Sequence, residues 1–552
     1  MKTVFSIYGI ADRNNFRYPG FVHDHNYCIS EQNSIKEYCH LERLTRVKYD
    51  NNLSNHLEDL LFEHKTRIKP DDSIFLFVNS FIGSSFISKN GRIRFDCLNR
   101  NVDLVSPVKG YGWVPDELWD GFEVESWSIS HEIAHAFSVV PFAGGLRENS
   151  LLISFDGGSS TGNFAAFHYK DDRLIQLESH WELSQLSKLF NDNGLSFGII
   201  NAAPGEHCSV PGKLMGYASL GHADKSILSW LTGHEFFRDS WGARTGFYQE
   251  ARKKFNWNGR LENNNDQFLF DIAACMQDYF KLGILNKIKQ LAEKTGADYL
   301  YYGGGCALNI VANADLIAKH WFRDVYICPC CNDSGLSIGA ASYWAFINNH
   351  EIKLNSPYLN NRNCSSDYKY DEKDVVSTAN ALLEEKVIGV CNGSAEAGPR
   401  ALGNRSILSL AGSKALADKV STEIKKREWY RPVAPIMLEK NTRLVNGLNE
   451  IHHLSGYMLL DFFILPEYQP ELQGVVHVNG TSRIQTVFQR SDNPFMFDLL
   501  EYLDKHHKVK ALINTSFNGK GEPIVHTPYH AIASGRKMKL DGLVINGKFQ
   551  TI

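Results

Sequence analysis

Leu151-Leu152-Ile153-Ser154-Phe155-Asp156-Gly157-Gly158-Ser159-Ser160-Thr161-Gly162 is the stretch on which the fold turns. A short apolar run bounded by turn residues reads as a buried strand. This one delivers a carboxylate, Asp156, and then glycines that open a tight turn whose amides can face a phosphate. The pattern recurs downstream. A strand at 298–302 runs into Gly303-Gly304-Gly305-Cys306-Ala307-Leu308-Asn309, a glycine turn opening a helix, and helix N-termini bind phosphates well. A strand at 325–328 leads through Pro329 and Asn332 to Asp333-Ser334-Gly335 and a helix at 336–347. Strands ending in such turns, followed by helices, predict a layered α/β nucleotide-binding domain. Gly157, Gly158, Gly304, Gly305 and Asn309 are its candidate nucleotide-binding residues.

Upstream, a strand is expected at 3–10, helical periodicity runs over 53–64, and 73–78 reads as an apolar strand. Residues 41–48 form a basic stretch, read either as a patch or as a solvated helix edge. Residues 79–126 read as loop-rich. Helical segments dominate from 183 to about 295. Residues 355–370, rich in Asn and Ser, read as a linker. A second domain then carries a helix at 375–385, a strand at 387–391 and the loop Ala397-Gly398-Pro399-Arg400-Ala401-Leu402-Gly403-Asn404-Arg405. Two arginines among glycines and a proline suit an anion, because guanidinium forks match paired oxygens and glycine lets backbone amides approach. No simple tandem repeat is apparent.

His131 and His135 lie four apart in a predicted helix, so both imidazoles face one side and suit one metal ion. Histidines so spaced also occur on ordinary helices. The acidic turns at Asp156 and Asp333 supply two carboxylates, completing an N/O donor set suited to Fe(II), Mn(II) or Zn(II). A metal between the glycine turns would lie near bound phosphate oxygens. His131-Glu132-x-x-His135 also matches the zinc-peptidase motif, in which the glutamate is a general base.

The totals bound these readings. A chain of 552 residues exceeds one ordinary core, so two or three domains are expected. A net charge of -4 gives no global pull toward nucleic acid or anionic membrane. No apolar run is long enough to span a bilayer. The 11 cysteines are odd in number and lack paired C-x-x-C spacing, which points to reduced thiols in a cytoplasm.

The ordered motifs resemble those of the O-carbamoyltransferases of antibiotic and nodulation-factor biosynthesis. They are His131 to Ala136, Asp156-Gly157-Gly158, Gly304-Gly305-x-Ala307-Leu308-Asn309 and Asp333-x-Gly335. Further on come Gly398 to Arg405, Lys426-Arg427-Glu428-Trp429-Tyr430-Arg431, Val478-Asn479-Gly480-Thr481-x-Arg483 and Asn514-Thr515-Ser516-Phe517-Asn518. The resemblance covers nearly the whole chain. It implies an actin/sugar-kinase-like two-lobed domain at 1–355, a linker at 356–370 and a YrdC-like domain at 371–552. The second domain would make carbamoyl-adenylate from carbamoyl phosphate and ATP, with Mg(II) on the ATP. The first would pass the carbamoyl group to an acceptor hydroxyl. Arg400, Arg405, Lys426, Arg427, Arg431 and Arg483, with Asn514 and Ser516, would hold the polyanions. His23, in a His-Asp pair with Asp24, would be the base, and Fe(II) is the first choice of metal.

The acceptor stays open between an antibiotic or sugar hydroxyl and a hydroxymethylated base, with nucleic acid entering only as acceptor. A monomer or homodimer is expected. The sequence departs from the family where Glu132 replaces a second histidine, where Ser394 and Ala397 replace an arginine and an aromatic, and in a longer segment before His23. A peptidase and a nucleotide-binding scaffold without catalysis remain the competing classes.

Overall fold

A computed structural model of the chain describes residues 2–9, 23–69, 71–79, 86–89, 91–96, 103–113, 123–200, 207–233 and 244–552. Its class is mixed α/β. The first sheet runs Ser34–His40, Asn26–Glu31, Thr3–Tyr8, Ser73–Val78, Glu123–Ile129, Val108–Trp113, Arg94–Asp96 and Phe86–Ile87. The second runs Arg173–His180, Phe164–Lys170, Ser150–Phe155, Tyr299–Gly303 and Asp324–Tyr326.

The two sheets share a plan. Each begins with an antiparallel meander of three strands, and its first strand then pairs in parallel with a fourth, which pairs in parallel with a fifth. A helix follows the fifth strand each time, His131–Val139 in the first and Leu336–Ile347 in the second. These two helices cross at close range. A Cβ on Gly339 would lie 1.8 Å from the carbonyl oxygen of Ala134, so only glycine permits the approach. The chain therefore holds a topological repeat that its side chains do not advertise. Within 79–126, expected to be loop-rich, the described strands Phe86–Ile87, Arg94–Asp96 and Val108–Trp113 widen the first sheet. Two glycines within Val108–Trp113 had diluted the strand pattern there.

Residues 372–552 build a seven-stranded mixed sheet in the order Gln485–Val487, Ala434–Leu438, Leu512–Ser516, Arg405–Leu410, Ile388–Cys391, Gly542–Ile545 and Lys548–Thr551. The segment expected as a linker is a bonded strap. Asn360 bridges Tyr38 on one side and Ala395 on the other, and Arg362 reaches Tyr27 and Glu37.

The basic stretch at 41–48 is not a solvated helix edge. Arg43 is fully buried and donates to the carbonyl of Gly398 at 2.9 Å, while Arg46 donates to the carbonyls of Pro523 and Ile524. Buried carbonyls at a domain joint need donors, and these arginines supply them. Among the described residues no helix is long and apolar enough to cross a membrane.

Candidate functional site

The repeat explains how the first site assembles. Equivalent helices open at His131 and near Asp333, and the first strand of the second sheet ends at Asp156. All three turns meet where the helices cross. Donor atoms of His131, His135, Asp156 and Asp333 lie within 4.8 Å of one another. The two Nε2 atoms are 3.0 Å apart, and Asp333 Oδ1 sits 3.6 Å and 3.4 Å from them.

The surroundings orient these groups. His131 Nδ1 faces the carbonyl of Asn79 at 3.2 Å, which places its proton on Nδ1 and leaves Nε2 as the ligating atom. Tyr8 donates to Asp333 Oδ2 at 2.8 Å, whereas Oδ1 is buried with no hydrogen-bond partner. A buried carboxylate oxygen aimed at two imidazoles fits a divalent cation. Burial opposes ionisation of Asp333, yet His23, His131 and His135 hold its carboxyl well below the usual range. Asp156 Oδ1 accepts from the Gly305 amide at 2.6 Å, joining the two glycine turns, and a Cβ on Gly305 would crowd that oxygen at 2.7 Å.

His23 and Asp24 stand beside this cluster. Asp24 accepts from the His23 ring at 3.0 Å, from His40 at 3.0 Å and from Asn332 at 3.1 Å. His23 Nδ1 is 4.0 Å from Asp333 Oδ2. Glu132 faces elsewhere. Its carboxylate accepts from the amide of Thr161 at 2.8 Å and from its hydroxyl at 3.0 Å, tying the helix start to the Asp156 turn. That role leaves the glutamate engaged away from the two histidines. Asn309, expected as a nucleotide contact, caps the helix Ile310–Ala318 through Ala312 and pairs with Gln277.

A second site lies between the domains, a cavity of about 320 Å³. Arg400, Arg427, Arg431, Arg483, Asn514 and Ser516 line it. Two further arginine-type expectations fall outside. Arg405 is buried and donates to the carbonyls of His526, Asn392, Asn404 and Gly393, so it braces the loop instead. Lys426 is exposed and carries a positive φ of 50°. Its neighbour Lys425 is the buried one, and it donates to Ser516 and Asn518.

The cavity concentrates positive charge that Glu428, 3.5 Å from Arg431, and Asp461 offset only in part. Burial, then the guanidiniums of Arg400, Arg427 and Arg431, push Arg483 well below its ordinary pKa. The Nε atoms of Arg400 and Arg483 are buried without a hydrogen-bond partner. Asp461, whose carboxyl burial pushes up to about 6, is the acidic neighbour of Arg483. Such repulsion is relieved when an anion binds.

The two sites abut. A Cβ on Gly398, whose φ is 91°, would sit 2.1 Å from the carbonyl oxygen of Pro329 and 3.0 Å from the Cα of Cys330. The arginine loop thus rests directly on the turn that carries Asp333. Sequence reasoning missed Tyr8, His40, Asn332, Lys425 and Asp461. Each sits one strand or one residue from a motif it did find.

Comparison with known proteins places this geometry. The family pattern described as "Carbamoyltransferase N-terminus" matches residues 122–342, and "Carbamoyltransferase C-terminus" matches 379–551. Nodulation protein U of Azorhizobium caulinodans is 30% identical over 426 residues, covering 69% of this chain and 73% of that protein. Nodulation protein NolNO of Sinorhizobium fredii is 26% identical over 563 residues, covering 95% and 78%. The chain belongs to the carbamoyltransferase family, and it is a transferase. A solved structure of full-length HypF in its phosphate- and nucleotide-bound form aligns with a TM-score of 0.24 and 16% identity, over 33% of this chain and 21% of that one. That likeness is too slight to carry argument.

Proposed function

We propose that the protein is an ATP-dependent O-carbamoyltransferase acting in two steps at two sites. The observation that carries this reading is the contact between an arginine-rich cavity and a four-donor cluster, made through Gly398 and Pro329. The paired sheet plan supports an actin/sugar-kinase-like first domain, and the mixed sheet a YrdC-like second.

In the first step, carbamoyl phosphate, ATP and water give carbamoyl-adenylate, phosphate and pyrophosphate. Three anionic groups must share one pocket, and Arg400, Arg427, Arg431 and Arg483 bind and orient them. Asn514 and Ser516 add neutral donors. In the second step, an acceptor hydroxyl attacks the carbamoyl carbon, the bond to the AMP phosphate breaks, and AMP leaves. His23 takes the acceptor's proton, with Asp24 fixing its ring through Nδ1. His131, His135, Asp156 and Asp333 would hold a divalent ion, which supplies positive charge for phosphate oxygens. Fe(II) is our first choice, with Mn(II) or Zn(II) also suited to this donor set. The acceptor we favour is a hydroxylated small molecule such as a sugar or natural product.

The test is incubation with carbamoyl phosphate, ATP, Mg(II) and a panel of hydroxylated acceptors that includes 5-hydroxymethylated nucleosides. AMP release together with an acceptor heavier by one carbamoyl group is expected. No AMP and no heavier acceptor across the panel would overturn the reading.

A further inference from the structure

A further set of metal-type donors lies away from both sites. Asp324, His452 and His453 each place a ligand atom within 4.8 Å of the others. Asp324 opens the strand Asp324–Tyr326 at the edge of the second sheet. It is level with Tyr299, where the neighbouring strand begins. The Gly305 turn that meets Asp156 follows the other end of that strand, at Gly303. The trio therefore sits at the opposite end of the sheet from the four-donor cluster. The two histidines come from the second domain, at the start of the helical turn His453–Tyr457.

Consecutive side chains usually point apart, but these two do not. The His452 and His453 rings lie 4.3 Å apart at 32°. Both Nε2 atoms reach one oxygen, Asp324 Oδ1, at 3.2 Å and 3.1 Å. Ligands of a tetrahedral zinc ion, about 2.0–2.2 Å from it, stand roughly 3.3 Å from one another, so the donors need to move little. The His453 ring stacks on Tyr326 at 5.3 Å, which fixes its plane. Asp324 also leaves the nearby cations aside. Arg323 pairs with Asp298 at 2.9 Å, and Arg147 lies over the Tyr326 ring at 4.7 Å. His452 is 20% exposed and His453 43%, which lets an ion enter and leaves room for water.

We infer that Asp324, His452 and His453 form a Zn(II) site that clamps the two domains together, with water in the fourth position. Two imidazoles and one carboxylate suit zinc and not Mg(II). Each ring binds through Nε2 and keeps its proton on Nδ1. For His452 this gives up the bond that its Nδ1 accepts from the Leu454 amide, a long one at 3.3 Å. The Arg147 charge also opposes the ion. Because the ligands come from both domains, bound zinc favours the joined arrangement over any in which they part.

Calorimetry on the chelator-stripped full chain tests it, with Zn(II) and Mg(II) as separate probes of wild type, His453→Ala and Asp324→Asn. Both changes fall on partly exposed side chains, and a cooperative melt without metal shows that each variant is folded. Wild type is expected to show a zinc-binding event that each variant weakens by about tenfold or more, and Mg(II) should not reproduce it. Equal zinc stoichiometry and affinity in all three proteins overturns the inference and leaves a hydrogen-bonded joint only. Mg(II) binding that disappears with the same substitutions overturns the choice of zinc. Zinc should also raise the melting temperature of wild type more than that of His453→Ala, and equal rises overturn the clamp.

Discussion

The four-donor cluster and the arginine cavity touch, yet they are built on opposite principles. In the cluster, three of the four side chains are held by a neighbour of complementary polarity: Tyr8 on Asp333, the Asn79 carbonyl on His131, Gly305 on Asp156. In the cavity, like charges face one another, and Arg483 is disfavoured by three other arginines. The first is a donor set that would suit a cation on the reading proposed above. The second stores repulsion that only an anion discharges. The two-step reading proposed above would call on both, side by side.

If the division of labour is real, the two sites should break separately. Removing a donor from the cluster should have the largest effect. His135→Ala is expected to lower metal affinity by more than the roughly 10–100-fold that outer-shell changes cost, read by metal content after dialysis. Carbamoyl transfer should fall with it, while AMP formation stays within about twofold because the cavity is untouched. Loss of both activities together would show one site rather than two.

Arg483→Ala probes the stored repulsion, and its signature is a pair of opposed changes. Loss of a charge-assisted hydrogen bond worth about 1.5–3 kcal/mol should weaken pyrophosphate binding about 10- to 150-fold. The same change relieves the repulsion among the remaining arginines, so the ligand-free protein should melt at a higher temperature. A variant that binds pyrophosphate normally, or melts lower without ligand, would contradict the account of the cavity.

Tyr8→Phe should have a smaller effect than either. It removes one hydrogen bond from Asp333 Oδ2 and leaves the donor atoms in place. About tenfold weaker metal binding is expected, with pyrophosphate binding unaltered.

The cluster was readable in the sequence because its members obey short-range rules. His131 and His135 share a helix face by spacing, and Asp156 and Asp333 each follow an apolar strand. Tyr8 was not, since a tyrosine ending a strand looks like core until the turn it faces is known. The cavity was half readable. Arg400 and Arg405 are five residues apart, but spacing cannot tell which one lines the cavity and which braces the backbone carbonyls. The first domain's share of the cavity had no local signal at all, because Gly212 and Gly216 come to line it only across a domain joint. The paired sheets were invisible for a related reason. Strand order is set by which segments bury against one another, and two repeats can keep that order without keeping any side chain.

The smallest expected effect concerns pH. Burial pushes Asp461 up to about 6, against the opposing pull of Thr481 and Arg483. At pH 7.5 its carboxylate is ionised and partly offsets the arginines. A bound anion disfavours that ionised form, so binding takes up a proton and raises the Asp461 pKa further. By linkage, affinity for an anion should rise as pH falls through about 6 and level off once the carboxyl is protonated in the free protein. Sulfate is the suitable probe, because its own charge does not change over this range. About a threefold gain in sulfate affinity between pH 7.5 and 5 is expected, and Asp461→Asn should flatten the profile at the tighter value. A profile that keeps its slope in Asp461→Asn would assign the titration to another group, and one that slopes the other way would mean that the carboxylate helps rather than opposes anion binding.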